Sequence, residues 1–360
     1  MTKQAFKPSG LLVLPHLRVQ NANAISSPLT WGFPSPTAFL GFVHALERRL
    51  SEQFGQEFGG VGIICHGFEA QTFKPNRRQH LVFAQSRNPV YLKKDAAKFI
   101  AEGTPPAIIE EGRAHLEVSL VIAVRGGFEE AREEQDFADA AYQTALGMRL
   151  AGGSVLPTLG HRAPKPQWLP WPAVVADQRS AFARLRRRLL PGFALVHRPD
   201  LLAERLERLK AESAGAAVSV LDALLDLSRL NHLPATLPPE PQVEGEPQAE
   251  LAATPDQPPP KVEWQVEKRP GWLVPLPIGY AGISPLYPPG IVENVRDGAT
   301  PFRFVESLYS LGQWIGPHRL MELQQLLWHT EADPDAGLYH CVNRYSDTLA
   351  ASELDPIPGA

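Results

Sequence analysis

The sequence predicts an α+β fold: a ferredoxin-like, RRM-like antiparallel sheet forming a palm, with inserted helical elements and a proline-rich C-terminal extension. Two observations carry this. The early patterns run strand, helix, strands, helix, which fits the β-α-β-β-α-β arrangement that RRM modules also use. The consecutive strand-like segments between residues 61 and 124 have no helices between them, which argues against a doubly wound parallel sheet.

Leu11 to Val19 (LLVLPHLRV) reads as the first strand, with Pro15 marking a bulge or an edge. Ser35 and Pro36 make an N-cap and first-turn pair. Phe39, Phe42, Val43, Leu46 and Leu50 then recur at helical spacing, with Glu47, Arg48 and Arg49 left for solvent. Val61 to Cys65 reads as a second strand extending toward Phe73, and Leu81 to Ala84 as a short one. In Arg113 to Val124, Leu116, Val118, Leu120 and Ile122 alternate with His115, Glu117, Ser119 and Val121. Phe128 to Leu150 is helix-like with an acidic face. Helical patterns follow at 177–190, 201–210 and 218–230. Trp272 to Ile283 reads as extended, and Pro301 to Trp314 and Pro317 to His329 as helices that each open with proline.

The chain has 360 residues, enough for one large domain or two smaller ones. Its 36 prolines are twice the roughly 5% average usage, implying abundant irregular surface. Residues 233–260 hold nine prolines, five acidic residues and no Lys or Arg, the composition of a solvated linker or loop. The predicted organisation is a palm over 10–175, a helical insertion over 176–232, this linker over 233–262, and a C-terminal part over 263–350 that completes the fold and forms an interface. The net charge of −4 gives no global nucleic-acid signature, although local patches decide such binding. Two cysteines are too few for a disulfide framework or a thiolate zinc site. With no apolar leader segment and no run near the roughly 20 apolar residues a span needs, a soluble cytoplasmic protein is the expectation.

Several constellations can carry chemistry. Gln20 to Pro36 holds seventeen residues without a charge and sets Asn21, Asn23, Ser26 and Ser27 around Trp31 and Phe33. Such a loop offers hydrogen-bonding edges and flat stacking faces to bases; it can equally satisfy its own backbone. Arg184, Arg186, Arg187 and Arg188 give one helix a basic face suited to phosphates, or to pairing with the acidic helix. In MRLAGGS, Gly152 and Gly153 let a backbone approach a partner, with Arg149 and Ser154 beside them; a helix C-cap is the alternative. Arg113, His115 and Glu117 share one strand face, able to hold an RNA backbone or an acid–base pair, or simply to be a polar outer surface. The histidines, among them His16, His44, His66, His80, His115 and His161, show no metal-ligand spacing, and no G-x-S-x-G elbow or cysteine-nucleophile motif occurs. No metal or cofactor is indicated. A metal-independent endoribonuclease leaves no spacing signature and stays open.

Collinear segments extend these patterns: QNANAISSPLTWGFPSPTAFLGFVHALERR (20–49), VGIICHGFEAQ (61–71), EEGRAHLEVSL (110–120), MRLAGGS (148–154), RRLLPGFALV (187–196), GWLVPLPIGY (271–280) and PFRFVESLYSLGQWIGPHR (301–319). Together they resemble the second-Csy-protein family, the handle-capping subunits of type I-F CRISPR surveillance complexes. The likeness thins at 1–9, 74–107, 155–180 and 232–262. The resemblance implies an RRM-like palm that binds the 5′ handle of the crRNA, pairs with the large Csy subunit and sits beside backbone subunits. It also implies that target DNA is met through the assembled complex, with no membrane, cofactor or catalytic residue in this chain. Under it the expected RNA contacts are Asn21, Asn23, Ser26, Ser27, Trp31, Phe33, Arg113, His115, Arg149, Gly152, Gly153, Ser154, Arg184, Arg186 and Arg187. Processing of repeat RNA by this chain itself is the alternative.

Overall fold

A computed structural model describes residues 6–75, 80–83, 85–87, 93–103, 108–158, 164–213, 217–235, 263–295 and 297–354. Residues 236–262, most of the predicted linker, lie outside these, as do Ala84 and His161. Eleven strands form one sheet: β1 (Gly10–Asn23), β2 (Glu57–Ala70), β3 (Arg113–Arg125), β4 (Arg149–Leu150), β5 (Gly153–Leu156), β6 (Gln167–Pro170), β7 (Phe193–His197), β8 (Trp272–Gly282), β9 (Val305–Ile315), β10 (Leu327–Asp333) and β11 (Leu338–Asn343). The helices are α1 (Pro36–Phe54), α2 (Lys93–Glu102), α3 (Ala131–Leu146), α4 (Val175–Arg188), α5 (Pro199–Glu212), α6 (Val220–Ser228) and α7 (Tyr345–Leu354). None of the described helices is long and apolar enough to cross a membrane.

The strand order in the first half is β2–β3–β1–β5, every pair antiparallel. α1 and α3 cover one face. Phe39, Phe42, Leu46, Phe137 and Ala141 bury against Leu17, Val19, Leu116, Val118, Leu120 and Ile122. Ser35 caps α1 by accepting the Thr37 N–H at 3.1 Å, and its hydroxyl donates to the Pro277 carbonyl at 2.7 Å, tying the helix start to β8. At the other end Gly55 takes a left-handed φ of 65° and donates its N–H to the Ser51 carbonyl. Among the described residues the opposite face is covered at one end, where Phe182, Leu185 and Leu189 from α4 and its C-terminus pack with Leu11, Val13, Ile64, Val121 and Ala123.

Two bulges lie side by side in this sheet. In β1 the register against β3 shifts between Leu14 and Leu17, at Pro15 and His16, where His16 has φ 49°. In β2 it shifts between Cys65 and Gly67. A bulge is how proline enters an interior strand, since its missing N–H then breaks no ladder bond.

The second half is a curled five-stranded sheet, β7–β9–β8–β11–β10, whose two ends both pair with the same edge of β2. Leu327 and Trp328 pair with Gly62 and Val61, while Phe193 and Ala194 pair with Cys65 and Ile64. Trp328 fills the junction, fully buried and donating Nε1–H to the Leu195 carbonyl at 2.8 Å. The backbone hydrogen bonding therefore runs across the predicted boundary at residue 175.

Several sequence expectations fail. α2 lies between β2 and β3, where consecutive strands without a helix were expected, although the two strands still pair antiparallel. Pro301–Trp314 and Pro317–His329 are not helices: β9, two short 3-10 turns (Pro317–Arg319 and Leu323–Gln325) and β10 occupy them. From Ser310 to Ile315 every residue is buried, so the apolar residues do not alternate and fall by chance at helical spacing. The helix expected through Leu150 stops at Leu146. The glycines of MRLAGGS form a hairpin turn between β4 and β5, with Ala151 at φ 48° and Gly152 at φ 76°, rather than a helix C-cap.

Candidate nucleic-acid interface

Beyond the part covered by α4, the second face of the sheet is polar and, among the described residues, open. Arg18 and Gln20 on β1, His115 and Glu117 on β3, and Gly67 and Glu69 on β2 line a cleft of about 430 Å³ there. The registers place Leu156, Arg18, Glu117 and Gly67 in one row, and set Glu69 opposite His115. The side chains alternate, so the neighbours Leu17, Val19, Leu116 and Val118 point into the helix-covered core.

A histidine seam separates the covered and open ends. The rings of His16 and His66 stack at 3.9 Å. Ser119 holds both: its Oγ accepts the His16 N–H at 2.9 Å and lies 2.7 Å from His66 Nε2. His66 Nδ1 meets the Pro191 carbonyl, and His16 Nδ1 lies 2.7 Å from Glu117 Oε1. Burial, first of all, pushes the His66 pKa down, so it is neutral at neutral pH. Its Nδ1–H then donates to Pro191, and Nε2 accepts from Ser119.

The end of β1 borders the cleft: the strand runs through Asn23, four residues into the segment expected to be loop from Gln20. Asn21, at φ 58°, donates its N–H to His115 Nδ1 at 3.3 Å, while Gln71 bridges Asn21 Oδ1 and His115 Nε2. Both ring nitrogens of His115 are thus engaged. Asn23 closes on its own chain, donating from Nδ2 to the Ile25 carbonyl at 2.8 Å and accepting the Ile25 N–H at 3.1 Å. Ser27 is buried against Thr30, their hydroxyls 2.6 Å apart, and Ser26 Oγ accepts the Ser35 N–H. Phe33 points inward, stacked on Phe39 at 5.4 Å and edge-on to Trp314 at 4.8 Å. Trp31 is 68% exposed and meets Phe83 edge-on at 5.6 Å, on a short ribbon pairing Thr72–Phe73 with Val82–Phe83. Leu29 and Leu81 are also exposed. The loop thus presents Asn21 and Trp31 outward and spends most of its other polar groups on itself.

The arginines divide in the same way. Arg149 donates to Ser154 Oγ at 3.2 Å and to the Gly152 carbonyl at 3.3 Å. Arg113 meets Glu111 at 3.4 Å. Gly153 lies against β1, where a β-carbon would be 2.8 Å from Ala22 N and from Gln20 O; Gly152 faces open space. On α4, Arg186 donates to the His318 carbonyl at 3.0 Å and to that of Leu320, while Arg184 and Arg187 are exposed. Arg188 donates to Gln167 at 2.7 Å, and none of these arginines pairs with the acidic side of α3 among the described residues. α4 covers the same sheet face as the cleft, on the far side of the histidine seam. Burial pushes the Cys65 and Cys341 thiols up to about 11 and about 12, so neither is a thiolate nucleophile at neutral pH.

Sequence reasoning missed Arg18, Gly67, Glu69 and Gln71. The signal for Arg18 and Gln20 was their alternation with Leu17 and Val19; Glu69 and Gln71 become neighbours of His115 only through the register of the bulged β2.

The profile of the family described as CRISPR-associated protein (Cas_Csy2) matches residues 12–341. CRISPR-associated protein Csy2 of Pseudomonas aeruginosa (strain UCBPP-PA14) is 49% identical over 334 residues, covering 92% of this chain and 94% of that protein.

Proposed function

The chain belongs to the CRISPR-associated Csy2 family, and on that footing we propose that it is a non-catalytic RNA-binding subunit of a cytoplasmic type I-F CRISPR effector complex. In this reading it binds the 5′ handle of the crRNA, pairs with the large Csy subunit beside the backbone subunits, and meets target DNA through the assembled complex. The observation that carries the reading is the polar face of a sheet whose helices α1 and α3 are confined to the other side, with Arg18, Gln20 and His115 lining its cleft. The antiparallel order β2–β3–β1–β5 supports a ferredoxin-like, RRM-like palm, whose exposed face is where such modules splay and stack single-stranded bases.

Within the face, Arg18, Asn21, Trp31, His115 and Arg149 reach the ligand; Arg184 and Arg187 on α4 hold the phosphates running past it. Asn23, Ser26, Ser27, Phe33 and Gly153 shape the loop and hairpin that present it. Both ring nitrogens of His115 already have protein partners, which favours the non-catalytic reading over the endoribonuclease alternative.

The test is co-expression with the large subunit and a comparison of handle RNA with a scrambled handle. Tighter handle binding and uncut RNA support the reading. Equal affinity refutes base-specific binding, and metal-free cleavage of repeat RNA that disappears in His115→Ala refutes the non-catalytic assignment.

A further inference from the structure

Resting on the RNA-binding reading, we propose that the cleft over Gly67 is a pocket for a single unstacked nucleobase bearing an exocyclic amino group, read by Arg18 and Glu69. Four observations lead there. Arg18 and Glu117 are cross-strand partners, yet the carboxylate turns to His16 instead. Among the described residues neither Arg18 nor Glu69 makes an ion pair, although both line the cleft. Among the described lining residues two carboxylates, Glu69 and Glu117, stand beside one arginine, which makes the cleft a poor seat for a phosphate. A base edge instead needs an acceptor for its amino group and a donor for its ring nitrogen or carbonyl, which a carboxylate and a guanidinium supply together.

Gly67 provides the space. It sits in register with Glu117, and a β-carbon there would touch only the Glu117 side chain, at 3.5 Å. The missing side chain leaves a floor on which a flat ring can lie. Adenine, cytosine and guanine carry the required amino group and uracil does not.

The pair formed with the large subunit is titrated with handle RNA and with a panel in which each handle nucleotide in turn becomes uridine. One position should lose about 10- to 100-fold in affinity on replacement. In Glu69→Gln, and in Gly67→Leu, which fills the floor at an ordinary contact distance, that position should stop mattering while penalties elsewhere persist. Identical penalties in wild type and both variants overturn the pocket. If Arg18→Gln weakens every RNA in the panel equally and lowers the salt slope by about one, Arg18 holds a phosphate and the proposal fails. Wild-type protein that cannot tell handle from scrambled RNA overturns the underlying RNA reading, a different result from a handle-specific pair with no position tied to Glu69.

Discussion

The two glycines of the β4–β5 hairpin separate packing from ligand approach. At Gly153 an alanine β-carbon would stand 2.8 Å from Ala22 N, Gln20 O and Val19 Cγ1, about 0.6 Å inside the 3.4 Å at which ordinary contact begins. Two of those atoms are backbone of β1, held in the ladder with β3, so β5 must move instead. Forced overpacking of this kind costs ~1–3 kcal/mol. At Gly152 nothing lies within 4 Å, and the penalty is the left-handed φ of 76°, ~1–2 kcal/mol for a residue with a β-carbon. Gly153→Ala should therefore lower Tm by a few degrees in thermal denaturation. Well below that Tm it should keep its handle affinity. Gly153→Val should be worse still, and a Gly153→Ala chain melting at the wild-type temperature would refute the packing argument. Should Gly153→Ala lose RNA with its stability intact, the glycine meets the RNA backbone directly.

Trp31→Ala should leave stability within about 1 kcal/mol, since the ring is largely exposed, and weaken handle binding by ~1–3 kcal/mol if a base stacks there. Phe33→Ala should instead cost ~1–3 kcal/mol in chemical denaturation, because the half-buried ring packs between Phe39 and Trp314. Arg187→Ala should reduce the salt dependence of RNA binding at unchanged Tm, whereas Arg186→Ala should lower Tm by leaving the His318 and Leu320 carbonyls without their donor. Stability should also fall with acid. His197 is buried beside Ser310 with its pKa pushed by burial from 6.5 to about 4. The unfolded chain binds that proton first, so the stabilisation is complete above pH 6.5 and is lost progressively down to about pH 4, by up to roughly 3 kcal/mol. Burial lowers the His66 and His329 pKa values too, adding in the same direction. Melting curves at pH 7.5 and 5 check this, and His197→Gln should flatten the difference.

The parts legible in the sequence were those where one side of an element meets water. β1, β3 and α1 announced themselves through alternation or helical spacing, and Ser35–Pro36 marked the start of α1, because a half-exposed element must sort its residues. β9 was misread because its buried stretch sorts nothing, and 317–329 because two short 3-10 turns there lead into a strand of which only Leu327 and Trp328 are buried. At the site, the residue types of the 20–36 loop were visible, but their allegiance was not. Whether Phe33 faces a base or Phe39, and whether Ser27 faces solvent or Thr30, depends on chain closure over tertiary distances. The cleft was hidden for a related reason: Glu69, His115 and Arg18 become neighbours only through pairings between distant segments, Glu69 with His115 and Arg18 with Glu117.

The bulge at Pro15–His16 reaches further than local geometry. Leu12 and Leu14 precede it and Leu17 and Val19 follow it, and all four point to the helices. In an unbulged strand the even-numbered positions would keep that direction, driving His16, Arg18 and Gln20 into the α1–α3 core and turning Leu17 and Val19 out to water. The extra residue acts as a frameshift in space. Removing one residue at this point would keep both faces correctly dressed and delete only the seam. Removing one residue at Arg18 would turn Val19 outward and Gln20 inward, up to the second register shift between Val19 and Ala22. Length changes in β1 are thus graded by position, and the permissive point coincides with the boundary between the part of the face that holds the fold together and the part left open.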